Sequence, residues 1–177
     1  STLKCAAITR ARTDHASELH MTLNQLTDCE ITQNSDVTTL TNNQSVMRFG
    51  KPVSDNDFKT LMIHKKLSGD NGVIELWTQF DNDDSKTDKI ILGSNAVAEK
   101  GNALRFKRAS GNGAQTSVGI LVVDAQSGAI TTADAFTLDS GSDGYRNARD
   151  GSLVHGAYNY YLVRGGNQGD QQSWYLT

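Results

Sequence analysis

Hydrophobic and polar positions alternate along short stretches of the chain, and this period of two predicts β-strands. In the clearest case, Ile74, Leu76 and Phe80 are predicted to face one side, whereas Glu75 and Gln79 face the other. The predicted strands are Asp36–Leu40, Ser45–Phe49, Phe58–Ile63, Val73–Phe80, Lys89–Leu92, Ala103–Lys107, Ser117–Val123, Ala135–Leu138 and Ala157–Val163. The pattern therefore predicts a chain made of many short strands.

Clusters of Gly, Asn, Asp and Ser lie between these strands and predict turns at short intervals. The clusters are Ser68–Gly72, Asp81–Ser85, Ser110–Gly113, Ser140–Gly144 and Arg164–Asn167. Residues 4–26 offer an alternative to strands, because their alanines also fit an irregular helix. No proline-rich linker and no change of composition divides the sequence, so we expect one domain over residues 1–177.

The composition favours a β-rich protein and excludes several function classes. Asp outnumbers Glu by 16 to 4, and Ser, Thr, Asn and Gln together number 54 of 177 residues, which favours turns over helices. The longest apolar run, Gly119–Val123, is far shorter than the roughly 20 residues of a membrane-spanning helix. The net charge is −3 with interspersed signs, which argues against a nucleic-acid partner.

The two cysteines, Cys5 and Cys29, lie 24 positions apart and show no metal-ligand spacing. One disulfide in an oxidising compartment and two buried free thiols are both compatible with this count. The sequence starts with Ser1 and carries no apolar leader. We interpret it as a processed product or an excised fragment.

Two polar clusters are candidates for chemistry, and turns explain both of them better. The segment Asp139–Ser142 is similar to the nucleophile segment of chymotrypsin-like proteases, but none of the four histidines has a protease-like context. The oxygen-rich segment Asp81–Ser85, with Asp88, has ligands for Ca²⁺ but lacks the glycine and closing glutamate of a helix–loop–helix calcium site. We expect solvated turns at both places, with no catalytic residue, no metal and no cofactor.

Short strands separated by turns fit a sandwich, a barrel or a solenoid. Asp36–Leu40 and Ser45–Phe49 are each followed within a few residues by Asn, Asp or Gly. That rhythm is typical of a parallel β-helix, in which the chain turns after each strand.

A series of short segments from residue 58 onward narrows this choice. In order, the segments are Phe58–Ile63, Leu67–Gly69, Gly72–Thr78, Asp84–Gly93, Gly113–Asp124, Asp134–Leu138, Gly156–Leu162 and Trp174–Leu176. Together they resemble the end of the secreted passenger of a pertactin-like bacterial autotransporter. Upstream, Ile31–Phe49 is similar to the preceding β-helix coil, whereas Cys29 stands where relatives often carry Trp.

The resemblance implies an all-β protein with right-handed parallel β-helix coils over about residues 1–110. A β-sandwich-like cap is implied over about residues 111–177. The resemblance also implies an autochaperone role, in which this segment emerges first at the bacterial cell surface and templates the folding of the chain behind it. The implied partners are the protein's own C-terminal outer-membrane β-barrel and its upstream passenger coils. The parent is expected to be a surface adhesin or virulence factor, exported through the periplasm and outer membrane.

The open end of a solenoid exposes unpaired strand edges and apolar core, so large apolar residues near the C-terminus are candidates for a cap. The predicted folding and cap core consists of Trp77, Gly156, Tyr158, Tyr160, Leu162, Trp174, Tyr175 and Leu176. If the protein is exported, we expect Cys5 and Cys29 to be joined, because closing a loop of this size stabilises the folded state.

Two other function classes remain open at this point. A carbohydrate-active β-helix enzyme would need acidic and basic residues clustered in a groove along the coils, and this sequence scatters its charges. A binding module would use its own surface to contact a host-surface ligand or a second copy of itself.

Overall fold

The computed structural model describes residues 18–25, 28–147 and 151–177, and in these ranges the chain forms strands and turns with no helix. The strands are β1 (His20–Asn24), β2 (Asp28–Ile31), β3 (Ser35–Asn43), β4 (Val46–Phe49), β5 (Thr60–Asp70), β6 (Gly72–Gln79), β7 (Lys89–Leu92), β8 (Val97–Ala98), β9 (Asn102–Ser110), β10 (Ile120–Ala125), β11 (Ile130–Thr131), β12 (Phe136–Leu138), β13 (Tyr145–Arg146), β14 (Ser152–His155), β15 (Tyr158–Tyr160), β16 (Leu162–Arg164) and β17 (Trp174–Leu176).

Two parallel sheets form the walls of the coils. In the first sheet the order is β1-β3-β5-β7-β10. The short strand β8 also pairs with β5, and β11 pairs with β8. In the second sheet the order is β2-β4-β6-β9-β12. Because the chain alternates between the two sheets, each coil stacks on the preceding one in parallel register. The parallel β-helix predicted from the sequence is confirmed.

The interior is filled by side chains that stack from coil to coil. Cys29 lies opposite Met47, Met47 opposite Ile74, and Ile74 opposite Leu104, and all four are fully buried. The predicted alternation in β6 is also confirmed, since every second residue of the strand is buried. Each buried aliphatic side chain of this size stabilises the fold by about 1.5–3 kcal/mol, so the stack holds successive coils together.

The outer face of the second sheet carries a ladder of opposite charges. Glu30, Arg48, Glu75 and Arg105 lie opposite one another on β2, β4, β6 and β9. The Nε atom of Arg105 also lies 2.8 Å from Asp139 Oδ2. Like charges at these positions would repel across neighbouring strands, and the alternating signs therefore favour the observed register.

Asparagine and glycine build the sharp corner between β5 and β6. The Asn42 side-chain amide donates hydrogen bonds to Asn102 Oδ1 at 3.0 Å and to the Val73 carbonyl at 3.2 Å. Gly101 has a φ of 141°, and a Cβ there would lie 2.3 Å from the Gly69 carbonyl oxygen. Only glycine fits so close to the neighbouring backbone, which explains the glycines of this corner.

Toward the C-terminus the pairing changes from parallel to antiparallel. Strand β17 pairs antiparallel with both β10 and β16, and β13, β14 and β15 form a separate antiparallel sheet. We refer to residues 139–177, as far as they are described, as the cap. Parallel pairing continues to Leu138 in β12, beyond the position near residue 110 where we expected the coils to end. Strands β10 to β12 thus form a further coil beneath the cap.

Several predicted elements differ from those observed. The single strand predicted at Ala157–Val163 is two strands, β15 and β16, which belong to different sheets. The predicted turn at Ser68–Gly72 is shorter, because β5 continues to Asp70 and only Asn71, with a φ of 54°, separates it from β6. In the segment where helix was an alternative, residues 20–24 form β1. Residues 4–17 and residue 26 of that segment lie outside the described residues.

Candidate functional site

The cap meets the last coil at a junction centred on Trp174, whose side chain is only 4% exposed. The indole ring lies edge-on to Phe136 of β12, with ring centroids 5.4 Å apart. Its Nε1 donates a hydrogen bond to the Thr131 hydroxyl of β11 at 3.2 Å. A single cap side chain therefore contacts two strands of the last coil, and we call this contact and its hydrogen-bond partners the cap junction.

Thr131 binds the cap through its hydroxyl and through both backbone groups. The hydroxyl donates to the Gln172 carbonyl at 2.9 Å and accepts from Arg164 Nε at 3.0 Å. The backbone N–H donates to Gln172 Oε1 at 2.8 Å, and the carbonyl accepts from Arg164 Nη2 at 2.6 Å. Thr131 is 1% exposed, so these bonds satisfy polar groups that the cap hides from water.

A second contact between cap and coils is made by three rings, Phe80, His155 and Tyr160. The His155 ring stacks on Phe80 with centroids 3.7 Å apart, and Tyr160 meets Phe80 edge-on at 5.3 Å. The Tyr160 hydroxyl donates to the Asp81 carbonyl at 2.8 Å and accepts from the Ala114 N–H at 3.0 Å. Burial lowers the pKa of His155, which favours an uncharged ring against Phe80.

A loop in the coils holds the segment that leads into β10. The Asp83 carboxylate accepts hydrogen bonds from the backbone N–H groups of Ser117, Val118 and Gly119, at 2.8, 3.0 and 3.2 Å. We expected the segment Asp81–Ser85 to be a solvated turn, but the Asp83 carboxylate is hydrogen-bonded to these three backbone N–H groups. A carboxylate that accepts several N–H bonds satisfies donors that have no strand partner, so Asp83 fixes the start of β10.

Asp88, the last acid of that oxygen-rich cluster, has a different structural role. It is fully buried, and its two oxygens accept from the backbone N–H groups of Lys59 and Trp77, both at 2.8 Å. Burial raises the pKa of Asp88 to about 6. In the described part of the chain, no group of three or more His, Cys, Asp or Glu side chains is arranged to hold a metal ion.

The β14–β15 turn of the cap and the loop after β9 approach so closely that both carry glycine. A Cβ on Gly156, where φ is 61°, would lie 2.0 Å from the Asn112 carbonyl oxygen. A Cβ on Gly113, where φ is 86°, would lie 2.1 Å from the His155 carbonyl oxygen. Gly156, a predicted cap residue, thus allows the β14–β15 turn to pack on the loop that follows β9.

The structure brings together part of the predicted cap core. Trp174, Tyr175 and Leu176 form β17, where Leu176 pairs with Leu162 of β16. Tyr160 belongs to the ring cluster described above. Tyr158 is 39% exposed and is not part of the buried core.

Trp77 lies away from the cap. It is half-buried in β6, and its Nε1 donates to the Phe49 carbonyl at 3.2 Å. Sequence reasoning did not assign four residues to the contact between the cap and the coils: Thr131, His155, Arg164 and Gln172. Arg164 was placed only in a predicted turn, and Asp83, which holds the segment before β10, was placed in a cluster that we expected to be a solvated turn.

Cys29 is fully buried in β2 and is a disulfide-bonded cysteine. Its predicted partner, Cys5, lies outside the described residues. The pairing of Cys5 with Cys29 therefore stays a prediction.

The protease-like segment forms a turn that is bonded to β9. The Ser142 hydroxyl accepts from the Phe106 N–H at 2.9 Å, and Asp139 is paired with Arg105. Both residues therefore have a structural role, because their bonds attach the turn to β9. Among the described residues, no helix has the length and apolar character needed to cross a membrane.

Comparison with protein families identifies this architecture. The model of the type 1 autochaperone domain matches residues 35–162, from the first residue of β3 to the first residue of β16. The chain belongs to the type 1 autochaperone domain family. An autochaperone domain is the folding region of an autotransporter passenger, as the resemblance implied. A search of curated proteins finds no match. In this autochaperone domain the matched region includes the ring cluster and Asp83, whereas Trp174 lies C-terminal to it.

Proposed function

We propose that this domain closes the C-terminal end of a passenger β-helix and nucleates the folding of the coils upstream of it during secretion. Membership of the autochaperone family supports a folding role. The structural observation that carries the proposal is the difference between the two ends of the coils. At the C-terminal end, Trp174 and Thr131 join the last coil to an antiparallel cap.

At the N-terminal end of the described residues, β1 pairs with β3 alone and β2 pairs with β4 alone. The other edges of these two strands are where we expect an upstream coil to pair. In a solenoid each coil contacts only its neighbours, so folding spreads from a stable end to the next coil. A capped end and a pairing-competent end therefore give folding a direction, from the C-terminus toward the N-terminus.

The proposal extends to the parent protein and its location. The domain acts at the bacterial cell surface, after passage through the periplasm and the outer membrane, and its partners are its own outer-membrane β-barrel and the upstream passenger coils. The parent is a surface adhesin or virulence factor. The domain itself acts as a folding unit and not as an enzyme, which is consistent with the bonds from Asp139 and Ser142 to β9.

The test compares Trp174→Ala with Leu19→Ala in the full-length autotransporter. Trp174 is buried in the cap junction, and its truncation should cost about 3–5 kcal/mol of a total stability of about 5–15 kcal/mol. Leu19 is partly buried beside β1, so its truncation should loosen one coil and leave the cap folded. The measurements are denaturant unfolding followed by tryptophan emission and protease digestion at the cell surface.

We expect Trp174→Ala to reduce the amount of protease-resistant passenger at the surface while the barrel inserts normally. Leu19→Ala should reduce it much less. Wild-type amounts of folded passenger with Trp174→Ala would show that the cap does not nucleate folding in this protein.

A further inference from the structure

A cavity of about 310 Å³ opens between the loop after β9 and residues 158–177 of the cap. The residues that matter for its chemistry are Gln115, Tyr158, Asn159, Tyr161, Asn167 and Thr177. The volume lies at the lower end of the range for small-molecule sites, so the cavity suits a small ligand.

The side chains that line this cavity carry no formal charge. Its lining contains tyrosines, amides, hydroxyls and one alanine, but no Asp, Glu, Lys or Arg. The two other polar hollows described on the coils both contain Asp and Lys side chains. A charged ligand would find no side chain of opposite charge in this cavity, so the side-chain chemistry favours a neutral, polar ligand.

The cavity combines the exposed Tyr158 and the half-buried Tyr161 with side chains that make no hydrogen bond to the described residues. Tyr158 is 39% exposed, and Tyr161 lies beside it in the lining. Within the described residues, the side chains of Gln115, Asn159 and both tyrosines make no hydrogen bond. An amide both donates and accepts, as a hydroxyl does, and these groups match ligands rich in hydroxyls.

The backbone around the cavity is fixed by the fold. Tyr161 and Thr177 exchange two backbone hydrogen bonds, of 2.7 and 2.9 Å. The Asn167 side-chain amide donates to the Ser117 carbonyl at 3.2 Å, and Ser117 is itself held by Asp83. A ligand would therefore bind without ordering a loop, which removes part of the entropy cost of binding.

We propose that this cavity binds a neutral saccharide, with a sugar ring on the face of Tyr158 and its hydroxyls bonded by Gln115 and Asn159. An aromatic face packs against the C–H groups of a sugar ring, and amides bond its hydroxyls in either direction. A purely apolar ligand would leave the amides unpaired, whereas a saccharide satisfies both the rings and the amides. The site is independent of the folding role and adds a binding function to the cap.

The test is a titration of the ¹⁵N-labelled 177-residue protein with lactose, maltose, cellobiose and N,N′-diacetylchitobiose, followed by NMR. With at least one of these sugars we expect saturable shifts in the amides of residues 114–117 and 158–161. Tyr158→Ala should weaken that binding roughly tenfold, because the stacking surface is lost. Asn159→Ala, at a second exposed wall residue, should weaken it as well.

Ile130→Ala is the matched control, since Ile130 is 54% exposed and lies outside the cavity. The control should bind like the wild type, and all three variants should unfold at the wild-type denaturant midpoint. Three results would overturn the proposal: no saturable shift with any of the four sugars, equal affinity of Tyr158→Ala and wild type, or tighter binding of glucuronate than of the neutral sugars.

Discussion

At the residue scale, Thr131 shows why the cap is specific for this coil. Its hydroxyl takes part in three hydrogen bonds, to Gln172, Arg164 and Trp174, and the residue is almost fully buried. A hydroxyl can donate once and accept twice, so this group is fully used. Any substitution without a hydroxyl leaves partners from three cap residues unpaired.

We expect Thr131→Val, which keeps the size of the side chain, to lower the free energy of unfolding by about 2–4 kcal/mol, since buried groups lose their partners. Thr132→Val is the matched control, because Thr132 is exposed and its hydroxyl bonds Asp134 alone among the described residues. Urea unfolding of both variants measures the difference. Equal midpoints for the two variants would mean that the Thr131 hydroxyl does not hold the cap.

Two opposing effects act on the charged form of Asp88. The hydrogen bonds from two backbone N–H groups favour the carboxylate, whereas burial away from water disfavours it. Burial dominates and raises the pKa to about 6 from 3.8. A carboxyl with a raised pKa binds its proton more tightly in the folded state than in the unfolded state. Its contribution to stability therefore grows as the pH falls from above 6 toward 3.8.

This linkage gives a prediction for pH dependence. Between pH 7.5 and pH 4.5, Asp88 should add about 2 kcal/mol to the free energy of unfolding. Asp88→Asn cannot titrate and should lack this increase, whatever its absolute stability. Urea unfolding of both proteins at a series of pH values measures the two slopes. If the free energy of unfolding depended on pH equally in the wild type and in Asp88→Asn, the raised pKa of Asp88 would be contradicted.

At the scale of elements, the loop between β6 and β7 ties the coils to the start of the last coil. Asp83 accepts three backbone N–H bonds from the segment before β10, and Tyr160 donates to the Asp81 carbonyl in the same loop. The loop therefore binds two segments: the one before β10, through Asp83, and strand β15 of the cap, through Asp81. The Asp83 carboxylate therefore has a structural role, although the residue is only half-buried.

Asp83→Asn should lower the free energy of unfolding by about 1–3 kcal/mol, because its amide nitrogen cannot accept the N–H bonds that a carboxylate oxygen accepts. Asp84→Asn is the control, since the neighbouring Asp84 is exposed. Thermal unfolding of both variants tests this expectation. A control as unstable as Asp83→Asn would indicate a general effect of charge and not the three hydrogen bonds.

At the scale of the whole molecule, the described coils are attached to a cap at one end and terminate in β1 and β2 at the other. Stability in stacked repeats depends on neighbours, and the terminal repeat frays first. The cap end has the additional contacts of Trp174 and Tyr160. The molecule should therefore open progressively from its N-terminal edge.

Hydrogen exchange under native conditions tests this gradient. We expect the amides of β10 and β17 to exchange at the rate of global unfolding, and those of β1 and β2 to exchange much faster. In Trp174→Ala the protection of β10 should fall toward that of β1. Uniform protection from β1 to β17 would instead indicate that the coils and the cap unfold as one unit.

The sequence by itself determined the strands of the coils and their buried faces. In β6 and β9 the alternation of apolar and polar residues specified which side chains face the interior, because successive residues of a strand point to opposite sides. The predicted strand Lys89–Leu92 matches β7 residue for residue. The order of motifs from Phe58 to Leu176 indicated the family, and with it the expectation of a cap.

Only the tertiary structure decided how the cap is attached. Thr131 and Gln172 are 41 positions apart in the sequence, and Asp83 and Ser117 are 34 positions apart. In its own segment, each of these polar residues is of a type that is common in turns. Strand β11, with two residues, is too short to show a period. The cap junction forms because the coils bring segments that are distant in the sequence to one end of the solenoid. The local pattern of apolar and polar residues does not indicate which polar side chains meet at that end.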